Sequence, residues 1–332
     1  MALLQKLPDE LLTEVVSYLA DDKSLLFKLA IQSKRLSELV RPFLAREVCF
    51  VTRPSSKSFR LFVRSTGEST VFASMVRDVL LDWDQGTSTT HDLMNRLLRR
   101  LPQLRSLTLQ ACWDNRPWTH QYLKKNPMEF LTVVDLNIQH LTMDDVVKYI
   151  FLKRLEHMSI SWINKPTIPR LPNTVSYGDS NVSSLKLGLG VHLPEDVLHE
   201  ILKYPRSLKT LVTNLPGRDG PNNYFRPALP MTTPLSPAGV TRALEPTMIS
   251  LTRLTVLNEN CEWPSHDCSR TDLRSFIALK KLQIASRCYF LAGSSTRDGI
   301  VHLLPASLED LEVWTCSSIS CHQWLSEFVA QC

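Results

Sequence analysis

No apolar run in this chain approaches the roughly 18 residues that a membrane-crossing helix needs. No secretory leader is expected either, because Ala2, Leu3 and Leu4 are interrupted at once by Lys6, Asp9 and Glu10. Enzyme signatures are equally scarce. There is no G-x-S-x-G, no phosphate loop and no H-E-x-x-H. Gly188-Leu189-Gly190 lacks the third glycine of a dinucleotide fingerprint and reads as a strand exit. The nine histidines are scattered, and no base–nucleophile spacing is present, so no catalytic residue is expected. A lone histidine such as His157 suits a surface. Charge of one sign is also short. Lys and Arg number 38 against 33 Asp and Glu, for a net charge of +5 and a pI of 8.7. So mild an excess favours acidic partners and does not call for nucleic acid.

What is present describes a folded chain. Of 332 residues, 43% are hydrophobic and 21% charged, enough for two or three domains or one long repeat array. Eight cysteines without a leader point to reduced thiols in the cytosol or nucleus. Cys261, His266, Cys268 and Cys288 supply four ligand types that suit zinc, but their spacing matches no zinc knuckle or ribbon. Cys316 with Cys321 and His322 is weaker still. Packing as small apolar groups is the alternative, and neither a metal nor another cofactor is expected.

The chain is organised around Leu7 to Val48. Apolar residues at Leu7, Leu11, Leu12, Val15, Val16 and Leu19 fall on one helical face. Pro8 stands where a helix begins, and Asp9, Glu10 and Glu14 suit the positive end of its dipole. Asp21 and Asp22 read as a turn. Further apolar sets follow at Leu25, Leu26, Leu29 and Ala30, then at Leu36, Leu39, Val40, Phe43 and Leu44. Three short helices bury little, so such a unit leans on a partner or on the rest of its chain.

The order L-P-x-E-L-L-x-E-V-V-x-Y-L, then S-L-L-x-L-A-x-x-S-K-R-L-x-x-L-x-R-P, resembles an F-box. Leu7, Pro8, Glu10, Leu11, Leu12, Val15, Val16, Tyr18, Leu19, Leu29, Ala30, Ser33, Arg35, Leu36, Arg41 and Pro42 carry the resemblance. It departs from many members after the third helix, where Arg41-Pro42-Phe43-Leu44 stands in place of a Trp. An ordinary helical cap on a larger domain is the other reading of this stretch. The resemblance implies a three-helix module over 3–48 that docks on a Skp-type adaptor and so joins a cullin ubiquitin ligase. The adaptor contact would fall on Leu7, Pro8, Leu11, Leu12, Val15, Leu29, Ser33 and Leu36.

Beyond it, a helix is expected from Ser56 to Ser65, and then one phrase recurs, L-x-x-L-x-L with aliphatic substitutes. It appears at Val76-Val79-Leu81, Leu104-Leu107-Leu109, Leu131-Val134-Leu136, Leu155-Met158-Ile160 and Val182-Leu185-Leu187. It continues at Leu208-Leu211-Thr213, Leu251-Leu254-Val256, Leu279-Leu282-Ile284 and Leu308-Leu311-Val313. The starts lie 28, 27, 24, 27, 26, 43, 28 and 29 residues apart. Helical pieces are expected between them at Thr90–Leu101, Thr142–Leu152, Pro194–Tyr204, Pro237–Leu244, Thr271–Ile277, Thr296–Leu304 and Cys321–Ala330. Thr142 and Ser236 are read as caps, and Pro102, Pro205 and Pro305 as stops.

This period resembles that of leucine-rich repeats, with an irregular turn position: Cys112 and Cys316 match it, and Glu259, Arg287 and Pro216 do not. The resemblance implies an α/β fold over 49–332, a solenoid with parallel strands on the concave side and helices on the convex side. A Pro-rich insertion at about 214–247 interrupts it, either over the binding face or as a tolerated loop.

Two features of the strands bear on binding. Alternation turns Arg77, Asp78, Arg105, Thr108, Asp135, His157, Ser159, Ser184, Lys186, Thr210, Arg253, Thr255, Lys281, Gln283, Asp310 and Glu312 away from the leucines. The middle is basic (Lys186, Lys209, Arg253, Lys280, Lys281) and the last repeat acidic. Either an acidic or phosphorylated segment binds there, or the face is simply solvated. Trp83, Trp162 and Trp314, with Trp113 a little later, stand past the strands as partner anchors or as seals of the core.

Together the two resemblances imply a non-catalytic, cytoplasmic or nuclear substrate-recognition subunit of an SCF-type ubiquitin ligase, holding a target through Lys186, Arg253, Lys281, Trp83, Trp162 and Trp314. A non-ligase F-box scaffold is the alternative.

Overall fold

The computed structural model describes residues 6–50, 57–83, 88–111, 128–163, 166–171, 173–188, 191, 193–214, 235–257, 269–285, 288 and 301–314. Ten strands lie in one sheet in sequence order, β1 to β10, and every pairing whose register is described is parallel. The chain forms two compact units, residues 1–114 with 121–134 and residues 115–120 with 135–332.

The first unit opens with three helices, α1 (Asp9–Tyr18), α2 (Lys23–Ala30) and α3 (Lys34–Arg46). Their starts follow capping chemistry. The Leu25 amide donates to the Asp22 carboxylate at 2.9 Å, and the Leu36 amide to the Ser33 hydroxyl at 3.2 Å. Val16, Leu26 and Val40 form a small core, with Leu19, Leu29, Ala30, Phe43 and Leu44 packed against it. Strand β1 (Glu47–Phe50) starts within the last residues of the expected 3–48 module and pairs with β2 (Asp78–Trp83). No leucine phrase announced β1. Helices α4 (Lys57–Glu68), α5 (Thr70–Met75) and α6 (Ser88–Arg99) and strand β3 (Ser106–Ala111) follow. Phe50 meets Phe59 edge-on, with ring centroids 5.2 Å apart. At Gly67 a Cβ would lie 2.2 Å from Arg100 Nη1, the end of a side chain that donates to the Val63 carbonyl at 3.0 Å, so the guanidinium would have to shift.

The division between units runs through β4 (Val133–Leu141). The second unit holds β5 (His157–Ile163), β6 (Ser184–Leu187), β7 (Thr210–Asn214), β8 (Arg253–Leu257), β9 (Lys281–Ala285) and β10 (Asp310–Trp314). Its helices are α7 (Met143–Ile150), α8 (Glu195–Leu202) and α9 (Pro237–Leu244). Each leucine phrase is a strand together with the residues just before it. Its apolar positions are buried in every phrase except the last, where Leu308, Leu311 and Val313 are half-buried.

The strands also begin alike, in a way the leucines do not reveal. The Arg77 carbonyl accepts from both the Arg105 and Ser106 amides, and the Arg105 carbonyl from Thr132 and Val133. In the second unit Glu156, Ser183, Lys209, Thr252 and Lys280 repeat this, each carbonyl holding two consecutive amides of the next phrase. A carbonyl has two lone pairs, so one acceptor can hold both donors where the chain turns into the sheet.

The second expected cap is present: Ser236 accepts from the Gly239 amide at 3.1 Å, and Pro237 opens α9. At α7, the Asp145 carboxylate accepts from the Thr142 amide at 3.2 Å and from its hydroxyl. The helix expected at Thr271–Ile277 is absent. That stretch is turns: Thr271 donates to the Cys288 carbonyl, Leu273 to the Leu303 carbonyl and Asp272 to the Thr241 hydroxyl, and the later amides close short bonds, Phe276 to the Leu273 carbonyl and Ile277 to the Ser275 carbonyl, in place of a helical ladder. Of Thr296–Leu304, one 3-10 turn at Val301–Leu303 is described. Cys321–Ala330, and 215–234 of the insertion, lie outside the described residues. No described helix is long and apolar enough to cross a membrane.

Candidate functional site

The three opening helices leave several large apolar side chains exposed. On α1, Leu11 (48% exposed), Val15 and Tyr18 (81%) stand at i, i+4 and i+7, one stripe of the helix. At the end of α2, Phe27 and Ile31 (66%) are exposed in the same way. They line an apolar groove of about 540 Å³ that also touches Leu44, Val48, Phe62 and Phe72. Cys49 stands on the wall of this groove, its thiol pushed up by desolvation and by the carboxylates of Glu47 and Asp82.

Two of the expected adaptor residues are corrected. Leu12 (1% exposed) and Leu36 (3%) lie inside, where they stabilise the helices and offer no surface. Leu29 is half-buried against the core, and the Ser33 hydroxyl is taken up in capping α3. Leu7 is half-buried and Pro8 exposed. Both are positioned by Arg35, whose guanidinium donates to the Leu7 carbonyl and to Asp9 Oδ1, each at 2.7 Å. Tyr18, Phe27 and Ile31 add exposed surface that the apolar period of the helices did not single out.

On the strand side of the second unit, parallel register arranges side chains in rows. His157, Ser184, Thr210, Arg253, Lys281 and Asp310 make one row. Ser159, Lys186, Val212, Thr255, Gln283 and Glu312 make the next. The expected basic stripe is narrower than its residue list. Lys280 is paired with Glu309 at 2.7 Å and Lys281 with Asp310 at 3.4 Å, because parallel neighbours place like positions side by side. Lys281 is therefore not a free cation. Gln283 Nε2 donates to Glu312 at 2.6 Å, and Trp314 Nε1 donates to the same carboxylate at 2.5 Å. Thr255, expected to face out, is buried and donates to Gln283 at 2.9 Å.

Of the tryptophans, Trp162 and Trp314 are exposed. Trp83 ends β2, and Trp113 lies outside the described residues. Trp162 has φ +67°, uncommon for a bulky residue. It shifts the alternation of β5 by one, so that Ile163 turns inward and the indole outward. At the end of β7, the buried Asn214 donates to the Gly188 carbonyl at 2.6 Å, a polar turn bond found two residues before Pro216.

A second groove, about 1040 Å³, lies beside α8 and α9. Its charges largely answer one another. Arg242 makes a two-pronged bond to Glu195 at 2.6 and 2.7 Å, while Glu200 accepts from Tyr177 at 2.6 Å and from Lys203 at 3.1 Å. Among the described residues no three His, Cys, Asp or Glu side chains gather as a metal site. Cys288 is buried and its thiol is pushed up to about 12 by desolvation. Cys261, His266, Cys268, Cys316, Cys321 and His322 lie outside the described residues.

Neither a scan against models of known protein families nor a search of curated proteins finds a match for this chain.

Proposed function

We propose that this chain is the substrate-recognition subunit of an SCF-type ubiquitin ligase: an F-box followed by leucine-rich repeats, working in the cytosol or nucleus. The F-box would hold a Skp-type adaptor, and through it a cullin. The repeats would hold a target protein. The observation that supports this best is the outward stripe of Leu11, Val15 and Tyr18, with Phe27 and Ile31 on the next helix. An apolar surface of this kind on a small helical unit is a liability unless a partner covers it. The sequential parallel strands support the repeat reading.

In this reading the chain does no chemistry of its own. It raises the effective concentration of target lysines near the ubiquitin carrier. The test is a pull-down of wild type against Leu11→Glu/Val15→Glu, blotted for the adaptor and a cullin. Both substitutions fall on exposed positions, so circular dichroism should be unchanged. Capture of both proteins by wild type and neither by the variant is the expected result. Adaptor without cullin would favour the scaffold reading. Capture of neither by wild type would sink the proposal.

A further inference from the structure

The rows of the second unit divide into a settled part and an unsettled one. On β9 and β10 the outward charges have partners, Lys281 with Asp310 and Glu312 with Gln283 and Trp314, and just before these strands Lys280 pairs with Glu309. On β6 to β8 this accounting fails. Lys186 and Arg253 are exposed, as is Lys209 just before β7, and none has a carboxylate within ion-pair distance among the described residues. The register places only Ser184, Thr210, Val212 and Thr255 between Lys186 and Arg253. Lys209 adds to the local potential, since its neighbour across the strand is Thr252, next to Arg253.

The spacing of these cations selects the anion. Lys186 and Arg253 lie two strands and two residues apart, which is about 12 Å between their backbones. A single phosphate would draw both long side chains inward to one point. Two separate carboxylates match better. On an extended chain, side chains at i and i+4 share a face about 13 Å apart. The hydroxyls of Ser184 and Thr210 lie in the row between and can bond a crossing backbone.

We propose that the β6–β8 face binds an extended acidic protein segment, with carboxylates four residues apart seated on Lys186 and Arg253. This rests on the substrate-receptor reading for its biological meaning, and it is tested separately. The probe is a fluorescein-labelled peptide of about 12 residues with Glu at every fourth position on a Ser/Thr background, followed by anisotropy on the full chain.

Wild type should bind it, and binding should weaken as salt rises from about 50 to about 300 mM. Lys186→Glu/Arg253→Glu should bind at least about tenfold more weakly and should bind a Lys-for-Glu peptide instead. Lys153→Glu, an exposed cation on a turn before β5, should behave as wild type. If the double reversal disturbs the melting curve, Lys186→Gln/Arg253→Gln replaces it, with loss of the Glu peptide as the readout. Equal binding of a Gln-for-Glu peptide overturns the proposal. So does stronger binding of a phosphoserine peptide, or no effect of either pair. Adaptor capture by wild type separates the two readings: capture without binding of the Glu peptide removes this inference and leaves the receptor reading standing, and the reverse result does the opposite.

Discussion

At the scale of single residues, environment decides more than identity. Cys288 is fully enclosed with its thiol held up near 12, so almost no thiolate exists at neutral pH. Iodoacetamide should leave Cys288 unlabelled in the folded protein and label it after denaturation, read by peptide mass spectrometry. Labelling of Cys288 in the native state would contradict its burial.

Asp272 shows the opposite shift. The Arg274 side chain holds its carboxyl below the usual range, outweighing desolvation, and the Arg274 amide adds to the effect. A carboxylate with a lowered folded pKa stabilises fully above the unfolded value near 4 and loses that contribution as pH falls through the folded value. Arg274→Ala should therefore shift the urea midpoint slightly at neutral pH. The gap from wild type should close below about pH 4. A gap that widened on acidification would reverse the assigned sign. Both side chains are largely solvated, so the effect is small.

Elements are held by their ends as much as by their faces. The start of α1 is tied down by Arg35 through Asp9 and the Leu7 carbonyl. Arg35→Ala should speed hydrogen exchange at the first amides of α1 and weaken adaptor capture, while moving the melting temperature little, because the pair is solvated. Unchanged exchange would mean that the clamp does not order this segment. Among the described strands, a central one has two neighbours and β10 one. Val212→Pro in β7 removes a ladder donor inside the array, whereas Glu312→Pro does so in the last strand of the order. The first should abolish cooperative unfolding in urea and the second should only lower its midpoint. Equal damage from both would argue against neighbour-by-neighbour stacking.

Across the whole molecule, the two candidate surfaces belong to different compact units. Variants in one should leave the other's binding intact: Leu11→Glu/Val15→Glu keeps the acidic peptide, and Lys186→Glu/Arg253→Glu keeps the adaptor. Cross-effects in parallel pull-down and anisotropy assays would mean that the units are coupled. Net charge favours the proposed ligand only weakly, at +5 over 332 residues. The selectivity must come from where charges are left unpaired, not from how many there are.

The amino-acid sequence by itself determined the strands and most of the helices. Burying one side of a strand or helix imposes a period, and the period is written in leucines: nine phrases, nine strands, and caps at Thr142 and Ser236. It did not show β1, which has no leucine phrase, or the turns at 271–278, anchored by Thr271 to Cys288, Asp272 to Thr241 and Leu273 to Leu303. Only the tertiary structure decided which charges are available. Lys186 and Lys281 look alike as letters, but one faces Val212 and the other Asp310. It decided the opening helices in the same way. Leu11 and Leu12 are neighbours and chemically identical, yet packing against the other helices encloses Leu12 and leaves Leu11 on the surface. A side chain's partners are set by register and packing between segments far apart in sequence, and a local pattern does not contain that distance.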